Sequence, residues 1–123
     1  MSVNIIEQMD SVIADAQTLL NELADDALAQ EYVNAVLNSA LFIRDEMNLY
    51  LNPDGSANEK VIVLGSYTRT TFSLIEAHAY IAKWQNTQGT ITLSSLQLEQ
   101  LESIVNKVNA VRRYLDEIWK IAE

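Results

Sequence analysis

The chain has one histidine, His78, so any acid–base or metal chemistry through an imidazole must run through that residue. The carboxylate closest to it in sequence is Glu76, two positions earlier. Residues two apart on a helix point away from each other, so this pair cannot share an ion. Di-metal carboxylate sites in helical bundles need inward glutamates and two Glu-x-x-His pairs, and one histidine at the wrong spacing does not supply them. Zero cysteines leave no thiolate site and no disulfide framework. No metal and no cofactor is expected. A serine triad has no base other than His78. Gly55, Gly65 and Gly89 are too scattered to cradle a phosphate. His78 as a catalytic or pH-sensitive imidazole stands against a neutral histidine satisfied by one hydrogen bond in a core or interface. The second is the expectation, and no catalytic residue is assigned from spacing.

The elements that must position these residues are helices. Leu101, Ile104, Val108, Val111, Leu115, Ile118 and Ala122 recur at alternating steps of three and four, a row that lies along one side of a helix. Ala29, Val33, Val36, Ala40, Ile43, Met47 and Tyr50 form another, and Ile6, Met9, Ile13, Ala16, Leu20 and Leu23 a third, flanked by Ile5, Val12 and Leu19. This patterning predicts an all-α, antiparallel up-down four-helix bundle with helices over 3–24, 26–51, 57–85 and 95–122. A second core would leave each half of 123 residues too small, so 1–123 is read as a single domain.

The breaks have chemical causes. Asp25 or Asp26 can cap the second helix, although no glycine or proline marks that turn. Asn52, Pro53, Asp54 and Gly55 form a turn cluster, and Ser56 with Glu59 matches a capping box. Ser94 with Gln97 offers another. Thr90, Ile91, Thr92 and Leu93 alternate like a strand, but one lone strand has nothing to pair with.

Charge is unevenly placed. Net charge is −9, and residues 1–43 hold Glu7, Asp10, Asp15, Glu22, Asp25, Asp26 and Glu31 with no lysine or arginine before Arg44. A surface of one sign repels phosphate backbones and attracts basic patches, so direct duplex binding is not expected. Glu7, Asp10, Asp15 and Glu22 are the candidates for contacting a protein partner with a basic surface, set against a plain solvated acidic face. No apolar run approaches the roughly 20 residues that span a bilayer, and the start carries Glu7 and Asp10 rather than a cationic leader. No membrane contact and a cytoplasmic location are expected.

The third helix is too apolar to bury a single stripe. One row is Val61, Leu64, Thr68, Phe72, Ile75, Ala79 and Ala82. A second, about 100° around, is Val63, Tyr67, Thr70, Leu74, Ala77, Ile81 and Trp84. The expectation is a homodimer that buries Tyr67, Leu74, Ile81 and Trp84. The alternative is cover within one chain from the 86–93 loop and a long neighbour. Trp84 and Trp119, near helix ends, are expected to close off the core. Arg69, Glu76 and Lys83 read as a solvated line of charges. Arg112 and Arg113, followed by Asp116, Glu117 and Lys120, are expected to make i,i+4 pairs along their own helix.

The stretch Tyr67-Thr-Arg-Thr-Thr-Phe-Ser-Leu-Ile-Glu-Ala-His-Ala-Tyr-Ile81 resembles the central helix of HEPN-type domains. These are small helical bundles of prokaryotic toxins, antitoxins and defence systems, often dimeric, some of them ribonucleases. Family nucleases use an arginine, four to six residues, then a histidine. Here Arg69 and His78 have eight between them, and nine steps of 100° set them on opposite sides of the helix. The resemblance therefore implies a non-catalytic member. The expected function is an acidic helical protein–protein interaction module, a regulator or inhibitor acting as a homodimer. The alternatives are a HEPN-like ribonuclease or toxin–antitoxin component using Arg69 and His78, and a binder of small ligands near Tyr67, His78 and Trp84.

Overall fold

A computed structural model describes residues 4–56 and 61–122, with the side chains of 50, 61–69 and 118–122 outside that description. Four helices follow in order: α1 (Ile5–Glu22), α2 (Ala27–Tyr50), α3 (Val61–Thr87) and α4 (Ser95–Ala122). Each packs on its neighbour in sequence and α4 closes back on α1, giving a four-membered ring. The diagonal pairs, α1 with α3 and α2 with α4, stay apart. This is the all-α four-helix bundle that the apolar periodicity implies.

The joints are held by specific hydrogen bonds. Asn4 caps α1, its Oδ1 accepting the Ile6 N–H at 2.9 Å. At the end of α1 the Leu23 N–H reaches both the Leu19 and Leu20 carbonyls at 3.2 Å. Asp26 then caps α2 by accepting the Ala29 N–H at 3.0 Å. Of the two aspartates that could serve there, it is the second that does. The reversal uses no residue at positive φ, so α1 and α2 are separate helices without any glycine between them.

Below α2, Gly55 sits at φ 88, a left-handed conformation that side chains disfavour. Asp54 Oδ1 accepts both the Ser56 N–H at 2.9 Å and the Ser56 hydroxyl at 2.6 Å. The Ser56–Glu59 box extends into 57–60, outside the described residues. At the far end Gly89, at φ 79, turns the chain out of α3. The alternation over Thr90–Leu93 is an extended loop: Ile91 and Leu93 are buried and Thr92 is exposed. The Leu93 N–H donates to Asn86 Oδ1 at 2.8 Å. The Ser94–Gln97 box closes reciprocally, Ser94 N–H to Gln97 Oε1 at 2.9 Å and Gln97 N–H to Ser94 Oγ at 3.1 Å.

The core takes Ala29, Val33, Val36, Ala40, Ile43 and Met47 from α2 and Leu101, Ile104, Val108, Val111 and Leu115 from α4, as their spacing predicts. On α1 the phase differs from expectation. The fully buried line is Ile5, Met9, Val12, Ala16, Leu19 and Leu23, while Ile6, Ile13 and Leu20 are its partly buried flank. The apolar sector of α1 is wide, and where α2 and α4 lie against it decides its centre. Trp84 also differs: it is half exposed and does not close the core. α3 runs two residues beyond the expected end, its last turn continuing to Thr87.

Candidate functional site

α3 presents two different faces along one cylinder. Phe72, Ile75, Ala79 and Ala82 are buried in the core. On the opposite side Leu74 is 45% exposed, Ile81 38% and Trp84 52%, with Tyr80 beside them at 70%. Thr70 and Ala77, also in this second row, are exposed too. The 86–93 loop and the neighbouring helices therefore leave these described members of the row uncovered within the chain. Leu74, Ile81 and Trp84 were expected at an interface. The side chain of Tyr67, the fourth such residue, lies outside the described ones.

His78 lies half-buried. Its Nδ1 is 2.8 Å from the Leu74 carbonyl one turn earlier. A carbonyl only accepts, so Nδ1 carries the proton in that bond. The ring is tied to its own helix, which suits a structural histidine. α3 passes unbroken through Arg69 and His78, so these positions stand two and a half turns apart, on opposite sides of one helix. No kink brings them together within the chain, and the side chain of Arg69 is outside the described ones.

The four candidate acids of α1 do not form one strip. Asp10 pairs with Arg44 Nε of α2 at 2.7 Å. Asp15 pairs with Lys107 Nζ of α4 at 2.6 Å, and the same ammonium reaches Ser11 Oγ at 2.8 Å. Asp10 and Asp15 therefore fasten α1 to its two neighbours on opposite flanks. Glu7 and Glu22 are exposed and make no ion pair with a described residue. Both pairs are partly solvated, so each holds a flank in register more than it adds stability.

Between α3 and α4 runs a groove of about 520 Å³. Tyr80 and Lys83 form one wall, and Glu102, Asn106 and Asn109 the other. Glu76 and Arg112 cross between the two helices at 3.0 Å. Glu76 is thus an α3–α4 tie rather than part of a solvated line, and Arg112 reaches across to α3. Glu76 faces α4, and His78, two positions on, lies on the flank toward α2. The groove is therefore not the pocket expected near His78. Its lining carries two carboxylates, Glu76 and Glu102, against one ammonium, Lys83, and no imidazole or thiol. The polar row Glu102, Asn106 and Asn109 on α4 was the sequence signal for it.

Among the described residues no three His, Cys, Asp or Glu side chains gather to hold a metal ion. None of the described helices is long and apolar enough to cross a membrane. Compared with models of protein families, with curated proteins and with solved structures, the chain matches none.

Proposed function

We propose that the chain is a non-catalytic protein–protein interaction module, a cytoplasmic regulator or inhibitor whose working surface is the outward face of α3. The exposed row Leu74, Ile81 and Trp84 carries this reading. Monomeric domains rarely leave several large apolar side chains aligned and uncovered, and such patches mark sites of association. Trp84 is the natural anchor, because interface energy concentrates in buried tryptophan, tyrosine and arginine. Glu7 and Glu22, which make no ion pair with a described residue, lie on α1, diagonally across the ring from α3. They form a second, acidic surface that favours partners with a basic surface and raises their encounter rate.

The test is a tagged capture from the native host's lysate with wild type, with Ile81→Glu and with Glu7→Gln/Glu22→Gln. A stoichiometric protein lost with Ile81→Glu and bound more weakly, with a reduced salt dependence, by the glutamine variant supports the module and its polarity. RNA that is cleaved by wild type and spared by His78→Ala overturns it in favour of a ribonuclease.

A further inference from the structure

The outward face of α3 has a period of its own. Thr70, Leu74, Ala77, Ile81 and Trp84 follow at alternating steps of four and three, the repeat that lets one helix interlock along another. One helix thus carries two such rows, and the bundle uses only one. The outer row is uncharged, and of Ser73, Tyr80, Lys83, Thr87 and Gln88 beside it only Lys83 carries charge, in a chain of net charge −9. The ring also sets the acid-rich α1 diagonally across from α3.

We infer that a second copy of this chain occupies the outer row, with the two α3 helices packed antiparallel. This inference rests on reading that face as an interaction surface and names what sits on it. A strongly basic partner finds no carboxylate along the row, whereas an uncharged apolar row of the same repeat fits it, and this chain carries one. Joined through α3, two bundles keep their α1 helices roughly 35 Å apart, taking 8–10 Å between packed axes. That is several Debye lengths at physiological salt, about 8 Å each, so the acids of the two α1 helices barely oppose the contact.

Side-chain size sets the direction. Antiparallel packing opposes Leu74 to the partner's Ala77 and Thr70 to the partner's Ile81, and the twofold axis repeats both pairs. Both of these central layers then place a large side chain against a smaller one. Parallel packing stacks Leu74 on the partner's Leu74 and Ala77 on the partner's Ala77, which leaves a bulge beside a void, and voids are destabilising. A 27-residue helix is about 40 Å long and 10 Å across, so it covers on the order of 400 Å² per copy. That is below the roughly 800 Å² per partner of stable complexes, so the pair is small and reversible.

The experiment is light scattering on the full chain from about 1 to 500 μM, a range that brackets a weak dimer. Wild type should climb from 13.8 kDa toward twice that mass. Leu74→Glu/Ile81→Glu, at exposed positions, should keep its helicity and associate at least ~30-fold more weakly, as loss of hot-spot contacts does. The chain has no cysteine, which allows a test of direction. Thr70→Cys and Ile81→Cys single variants should link to each other through a short thiol cross-linker, and neither should link to itself. Self-linking by each variant overturns the antiparallel order. A wild-type mass fixed at 13.8 kDa, or association indifferent to the glutamates, overturns the second copy. If a host protein captured by wild type is nevertheless lost by the glutamate variant, the interaction surface stands and only its occupant is wrong. If neither mass nor capture responds, both readings fall.

Discussion

Leu74 and Ile75 are neighbours in the chain that face opposite environments: Ile75 is fully buried in the core, and Leu74 is 45% exposed on the outside of α3. The difference follows from the 100° step of the helix, and it separates what holds the bundle from what the bundle offers to others.

Truncating each residue should expose that separation. Ile75→Ala is expected to cost about 2–5 kcal/mol through lost transfer energy and a cavity. That cost should be the same at any protein concentration. Leu74→Ala should cost no more than about 0.5 kcal/mol in dilute solution, with a deficit that grows as the chain is concentrated and wild type gains from association. Guanidinium unfolding at two concentrations a hundredfold apart measures both. Equal costs for the two residues at low concentration would mean that α3 is turned differently in its socket.

The caps give a second test. Asp26→Ala and Ser94→Ala should each lower stability by ~1 kcal/mol, because each strands a helix-end N–H that now has an acceptor. The Ser94 and Gln97 bonds are reciprocal, so a double-mutant cycle on that pair should return a coupling that an unrelated pair such as Asp26 and Ser94 does not.

Acid should loosen the turn between α2 and α3. The Ser56 hydroxyl, followed by the Ser56 N–H, holds the Asp54 carboxyl below its ordinary 3.8. A carboxylate depressed on folding contributes stability that is in place above the unfolded value and is lost as pH falls through the folded one. Urea midpoints taken from pH 5 down to pH 2 should therefore fall less steeply for Asp54→Asn than for wild type. Identical slopes would show that the two Ser56 bonds do not favour the ionised form.

Among the acids of α1, only the paired ones should matter to the fold. Asp10→Asn and Asp15→Asn are each expected to cost about 0.2–1 kcal/mol, reduced by salt, since both pairs are partly solvated. Glu22→Gln, at the negative end of the α1 dipole, should be neutral or stabilising by a few tenths of a kcal/mol. Thermal melts of the three variants at low and high salt distinguish these outcomes.

The fold was largely legible in the chain because burial imposes a period. The rows of α2 and α4 and the Ser94–Gln97 box appear where their spacing and chemistry put them. What periodicity cannot carry is the identity of the neighbour. Ile5, Val12 and Leu19 lie beside Ile6, Ile13 and Leu20 on α1, and only the seats of α2 and α4 decide which line is central. For the same reason Glu76 and Arg112 read as members of separate helices' own charge lines, although they meet across the α3–α4 groove. Asp10 and Asp15 looked like parts of one acidic face until the ring supplied Arg44 on one side and Lys107 on the other. The exposed side of α3 was foreseeable from excess: two apolar rows on a helix that a four-membered ring can bury only once.

The reversal between α1 and α2 has a consequence for the topology itself. It contains no left-handed residue and no proline, so nothing in its backbone forbids a straight helical path from Ile5 to Tyr50. The Asp26 carboxylate and the buried Leu23 are what bend the chain back. Losing that cap weakens the stop by about 1 kcal/mol and brings the competing path, one rod of double length, that much closer in energy. A rod cannot close its own ring. It must lend its distal half to another molecule, so this four-residue joint sets whether the bundle is completed by its own chain or by exchange of halves between two.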